Sequence, residues 1–252
     1  MSGFRGAVSF LTRVPVADGD APVLRRSIPW FPVVGALVGL GAAGVYAAAR
    51  LVVAPSVAAA ISVGMTALVT GALHEDGLGD TADALGGGSS PEERVRILKD
   101  PRHGTFGVLA TVLSVVVRIA SVASMSGWIA LAFLPAAHSL SRTAAVSALG
   151  WAPRATEEGS AAAFADHVTR RSAFAASALA VAIGFAFVGL AGVPAAVLAA
   201  LGAIVVASLG IRMVGGVTGD LLGAIEQVGE IAILVLGAAA AHAAWRGAPW
   251  RP

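Results

Sequence analysis

Hydrophobic and polar positions alternate along this chain in long blocks. Apolar runs occupy positions near 30–53, 55–73, 104–126, 128–149, 173–192, 194–211 and 229–245. Each has roughly the ~20 residues that a helix needs to cross a bilayer. The pattern predicts an all-α fold: a polytopic integral membrane helical bundle of about seven transmembrane helices, in a single membrane-embedded domain over residues 1–252. Ahead of the first run, Phe4–Val16 is apolar but carries Arg5 and Arg13, which predicts a short N-terminal interfacial helix. The first 30 residues lack the continuous apolar core of a cleavable signal peptide.

The polar blocks fall at 74–103, 150–172 and 212–228. With seven spans, twelve Lys and Arg residues lie on the side of these blocks and only Arg50, Arg246 and Arg251 on the other. The positive-inside rule then predicts a cytoplasmic N-terminus and places all three blocks on the cytoplasmic face of the cell membrane. Composition agrees. The chain is 57% hydrophobic and only 13% charged, where a soluble domain has about 25% charged residues. Cysteine is absent, which excludes disulfides, thiolate catalysis and a Cys-based zinc site. The net charge of +2 gives no reason to expect a nucleic-acid partner. Oligomeric state stays open, a homo-oligomer included.

Chemistry concentrates in His74–Gly88, HEDGLGDTADALGGG. Asp76, Asp80 and Asp83 follow one another at spacings of four and three, which on a helix stacks them along one face. Three carboxylates so close repel unless a cation shares their oxygens, and oxygen ligands suit Mg²⁺ or Mn²⁺. Glu75 points about 100° away from Asp76 on a helix, toward solvent or an Arg partner. The glycines Gly86–Gly88 end the helix.

A second stretch, KDPRHGTFG at 99–107, offers Lys99, Arg102 and His103, then Gly104 and Thr105 at the start of an apolar span. Free N–H groups at a helix start attract phosphate oxygens, although flanking positive charge alone accounts for the cations equally well. His103 reads as a hydrogen-bonding residue before a general base. A third stretch, GGVTGDLLGAIEQVGE at 215–230, contributes Asp220, Glu226 and Glu230 as donor-binding or dipole-complementing acids. Glu157 and Glu158 read as solvated loop acids. Arg142 lies near a span end and can snorkel. Arg118 lies ~20 Å along its span and needs a partner or a watery cavity.

Read together, these blocks resemble the cobalamin synthase (adenosylcobinamide-GDP ribazoletransferase) family. SFLTRVPV at 9–16, IPWFPVVGALVG at 28–39, the aspartate block at 74–88, KDPRHGTFG, SRTAA at 141–145, EEG at 157–159 and GGVTGDLLGA at 215–224 follow in the family's order. There are departures: Glu75 stands where Leu is common, Gly79 where Ala is, Thr156 where an Arg is often seen, and Gln227 where a Glu is. The resemblance implies a metal-dependent transfer. α-Ribazole, or its 5′-phosphate, attacks the phosphorus attached to cobinamide in adenosylcobinamide-GDP, and GMP leaves. It implies that Asp76, Asp80 and Asp83 hold Mg²⁺, with Asp80 or Asp83 taking the hydroxyl proton. Lys99, Arg102, Gly104 and Thr105 would bind phosphates, and Asp220 and Glu230 substrate. Two other readings stay open on the residues alone: a CDP-alcohol-type phosphotransferase, and an ion-coupled carrier. No internal repeat supports the carrier.

Overall fold

The computed structural model describes residues 3–16, 24–155, 167–244 and 247. Glu157, Glu158 and Thr156 lie outside the described residues. The described chain is helical throughout. Its elements are α1 (Gly3–Leu11), α2 (Leu24–Ser27), α3 (Phe31–Ala49), α4 (Pro55–Thr70), α5 (Leu73–Gly87), α6 (Pro91–Leu98), α7 (Thr105–Ala123), α8 (Gly127–Ala148), α9 (Arg170–Val188), α10 (Gly192–Val214) and α11 (Gly219–His242). The interfacial helix is shorter than the sequence implies and packs on the bundle: Leu11 is buried, and Phe10 stacks on Phe31 at 5.8 Å.

Helix α8 is the centre, buried on nearly all sides by α3, α9 and α11. Small residues make that possible, because lipid tails supply no hydrophobic drive between helices and close backbone approach must do the holding. A Cβ at Gly35 or Gly39 of α3 would collide with the α8 carbonyls of His138 or Leu134. At Gly237 of α11 it would meet the ring of Phe133 at 2.8 Å.

Five stretches are long and apolar enough to cross a membrane, or six if one bent pair counts as a single span, against the seven expected. The difference has two sources. Expected spans 173–192 and 194–211 fall in one apolar stretch, Arg170–Val214, of 45 residues. That is about 67 Å as a straight helix, twice a bilayer core. It is interrupted by the 3₁₀ turn Gly189–Ala191, and residues of both halves line one cavity against α8. The second source is α4, whose 16 residues rise only ~24 Å. The chain then bends by 89° into α5. Gly71 and Ala72 both take left-handed backbone there, at φ 68° and 55°. A Cβ on Gly71 would collide with the Arg13 guanidinium, so glycine serves the bend twice, by conformation and by space.

The last expected span also shifts. The polar block 212–228 is not all loop: α10 continues to Val214, and α11 begins at Gly219, capped by Thr218 accepting from the N–H of Leu221. Glu226 and Glu230 lie inside the last helix, where arginines from α7 and α8 meet them.

Candidate functional site

The aspartate helix is the second leg of a broken span. It runs antiparallel to α7: Asp83 sits beside Gly104 and Gly107, while Glu75 sits beside Arg118, eleven residues further along. Glycines let it sink between its neighbours. Gly77 of α5 crosses Gly223 of α11 so closely that a Cβ on either would stand 3.1 Å from the other's Cα. That crossing brings the start of α11, and with it Asp220, against the aspartate face.

Two groupings result, on opposite faces of α5. On the open face, Asp76 and Asp80 converge with His103 from the loop before α7. His103 Nε2 lies 3.7 Å from Asp76 Oδ1, and its Nδ1 lies 3.4 Å from Asp80 Oδ1. One ligand atom from each residue falls within 4.8 Å of the others, spacing suited to a shared cation. Gly79 leaves room for the imidazole: a Cβ there would stand 3.4 Å from two ring atoms.

Asp83 turns away from this trio. Its two oxygens accept hydrogen bonds from the backbone N–H groups of Gly104 at 2.6 Å and Gly107 at 2.8 Å. It therefore caps α7, and it fills N–H groups that the sequence reading offers to phosphate. Stacking at spacings of four and three holds along the helix; the neighbouring backbone decides which acid stays open.

The other predicted site residues are dispersed. Arg102 is exposed and grips Asp100 with Nε at 2.9 Å and Nη2 at 2.8 Å. Its guanidinium and backbone N–H hold the Asp100 carboxyl down at about 2. Lys99 ends α6, just before this pair. Thr105 opens α7 directly after Gly104. Asp220 lies in the first turn of α11 beside the open face. Glu230 is 1% exposed and belongs to the second grouping.

That grouping is a buried ionic network. Arg118 of α7 meets Glu75 at 2.7 Å and Gln227 at 3.2 Å through Nη1, and Glu230 at 2.9 Å through Nε. Arg142 of α8 meets Glu226 at 2.6 Å and His138 Nδ1 at 2.7 Å. His138 Nδ1 also lies 2.9 Å from Glu230 Oε2. His138, Glu226 and Glu230 have metal-like spacing too, but the two guanidiniums already supply the cations there. Glu75 has its Arg partner as expected; Arg142 does not snorkel but turns inward and is 3% exposed.

Sequence reasoning undervalued His103. The available signal was its place two residues before the first residue of α7; that it faces the aspartates is settled only by the fold. Glu75–Arg118 carried a weaker one, each residue needing a counter-charge.

The comparisons agree with the resemblance. The family model described as Cobalamin-5-phosphate synthase matches residues 3–238. A protein of Bradyrhizobium diazoefficiens named adenosylcobinamide-GDP ribazoletransferase is 40% identical over 252 residues, covering 95% of this chain and 94% of the relative. One from Ralstonia nicotianae with the same name is 39% identical over 237 residues, covering 90% and 91%. No solved structure matches. With nearly its whole length matched, the chain belongs to the cobalamin-5-phosphate synthase family.

Proposed function

We propose that this membrane protein transfers the adenosylcobinamide phosphate group from adenosylcobinamide-GDP to α-ribazole or its 5′-phosphate. The products are adenosylcobalamin, or its 5′-phosphate, and GMP. The observation that carries the reading is the open face of α5. Asp76, Asp80 and His103 converge there on one point beside Asp220, within a chain whose relatives bear the transferase name.

Asp76 and Asp80 would hold a divalent ion, Mg²⁺ or Mn²⁺, with His103 as a third donor. The donor chemistry fits, since two facing carboxylates and an imidazole leave negative charge without a fixed cation. When bound, the ion neutralises diphosphate charge, the main demand of phosphoryl transfer. Asp83 keeps the Gly104–Gly107 turn rigid, so that His103 faces the aspartates. Asp80, whose oxygens are not taken up by backbone N–H groups, accepts the proton of the attacking ribazole hydroxyl. Lys99 and Arg102 lie where guanylyl phosphates would approach; Arg102 must first let go of Asp100. The positive-inside count supports a cytoplasmic site.

The test is GMP release by the purified chain in nanodiscs, given adenosylcobinamide-GDP, α-ribazole and Mg²⁺. Release that requires all three supports the reading. Product formed only from a CDP-activated lipid alcohol overturns it.

A further inference from the structure

The open face and the buried network are built from the same helices. Helix α5 supplies Asp76 and Asp80 above and Glu75 below. Helix α7 has His103 and Gly104 at its start and Arg118 within it. Helix α11 carries Asp220 in its first turn, Gln227 about two turns further on and Glu230 about three. One side chain reaches across all three. Arg118 contacts Glu75 at 2.7 Å, Gln227 at 3.2 Å and Glu230 at 2.9 Å, and Thr66 of the broken span at 3.4 Å.

We propose that Arg118 is a positioning residue of the transferase site, a buried guanidinium that fixes where the helix ends bearing Asp76, Asp80, His103 and Asp220 stand relative to one another. The proposal rests on the metal-face reading above. Helix α5 needs such a tie. It follows a sharp bend, its crossing at Gly77 on Gly223 is backbone on backbone, and Asp83 ties only its far end, to the start of α7. A smooth crossing sets distance but resists sliding and rotation poorly. The ion pair at Glu75 supplies direction, because guanidinium donors sit in a fixed planar fork. Glu75 is also adjacent to Asp76, so a rotation that releases Glu75 swings Asp76 and Asp80 with it. A lysine at 118 keeps the charge, but its single ammonium has no rigid fork and cannot reproduce the separate Nη1 and Nε contacts with Glu75 and Glu230.

The experiment compares Arg118→Lys, Glu75→Gln and the unchanged chain, each full-length in nanodiscs. Mn²⁺ affinity is read by electron paramagnetic resonance. The α5–α7 spacing is read without metal, from nitroxides on Leu73→Cys and Leu109→Cys. Both sites are exposed, and the chain has no other cysteine. Arg118→Lys should weaken Mn²⁺ binding about tenfold and broaden the distance distribution; Glu75→Gln should do the same more mildly, and serves alone if the lysine variant fails to fold. Phe133→Leu, in the α8 core, should lower the melting temperature without moving either readout. Unchanged affinity and spacing in Arg118→Lys, or in Glu75→Gln if only that variant folds, overturns the proposal. So does Phe133→Leu reproducing the shifts at equal loss of stability. If the unchanged chain binds no Mn²⁺, the metal reading falls, and the distance measurement alone still decides the positioning role.

Discussion

Glu75 and Asp76 are neighbours in sequence with opposite fates. Glu75 is 7% exposed and locked to a guanidinium, whereas the Asp76 side chain is 64% exposed and faces a second carboxylate across an imidazole. One face of α5 is neutralised from within the protein, and the other keeps its carboxylates open, where the proposed function puts a cation from outside. A buried carboxylate without a partner is too costly to keep, so the protein supplies arginines to Glu75, Glu226 and Glu230 and backbone N–H groups to Asp83. An open carboxylate pair can wait for its ligand. The helical period of 3.6 residues is what lets one short helix serve both purposes.

Substitutions on the two faces should fail differently. The largest effect is expected from Arg118→Leu, which strands Glu75 and Glu230. Breaking a buried pair this way costs about 3–5 kcal/mol, so thermal melts in detergent should show a steep loss of folded protein, and the protein that stays folded should lose activity as well because its open face is no longer held in place. On the open face, Asp80→Asn should lower the GMP-release rate about 10²–10⁴-fold, the range for removing a positioned general base. Its melting temperature should hold or rise, because one repelling carboxylate is gone. A rate near that of the unchanged chain would remove Asp80 from the mechanism.

Metal removal sharpens the comparison further. Chelation should abolish activity, and Mg²⁺ or Mn²⁺ at about 100 times its Kd should stabilise the fold by about 2.7 kcal/mol. That stabilisation should vanish in Asp76→Asn and survive in Glu226→Gln; its loss in both would merge the two faces into one. A smaller effect is expected at the hinge between them. Gly107→Ala places a Cβ against the Asp83 carboxylate and 2.7 Å from the Gly79 carbonyl. Overpacking of this kind costs about 1–3 kcal/mol, and activity measured with melting temperature should fall with it. The smallest belongs to Asp100→Asn, which frees Arg102 on the surface. Arg102 depresses the Asp100 pKa, so any stability from the pair is present at neutral pH and lost only as pH falls toward about 2. No difference in melting temperature from the unchanged chain is expected at any pH between 5 and 8; a lower KM for the GDP substrate would show that Arg102 reaches the phosphates once released.

Several elements were legible from residues alone. The apolar blocks marked α3, α7 and α8 within a few residues, because a bilayer demands a fixed length of apolar helix whatever it packs against. Spacing placed Asp76 and Asp80 together, since two residues four apart share a helix face in any context. Asp83 obeyed the same spacing yet was drawn off by the N–H groups of Gly104 and Gly107, twenty or more residues away. His103 joined the aspartates for the mirror reason. Its partners come from another helix, and no local pattern announces them.

The chain's order of residues by itself determined that it lives in lipid, that its acids gather at a few points, and which family it resembles. These follow from composition, helical period and motif order, which need no knowledge of neighbours. Tertiary structure alone decided that α4 and α5 form a broken span, that Glu226 and Glu230 sink into the bundle, and that Arg118 ties three helices together. Those outcomes turn on which charges find counter-charges out of water, and pairing across helices is a property of the folded bundle rather than of any segment within it.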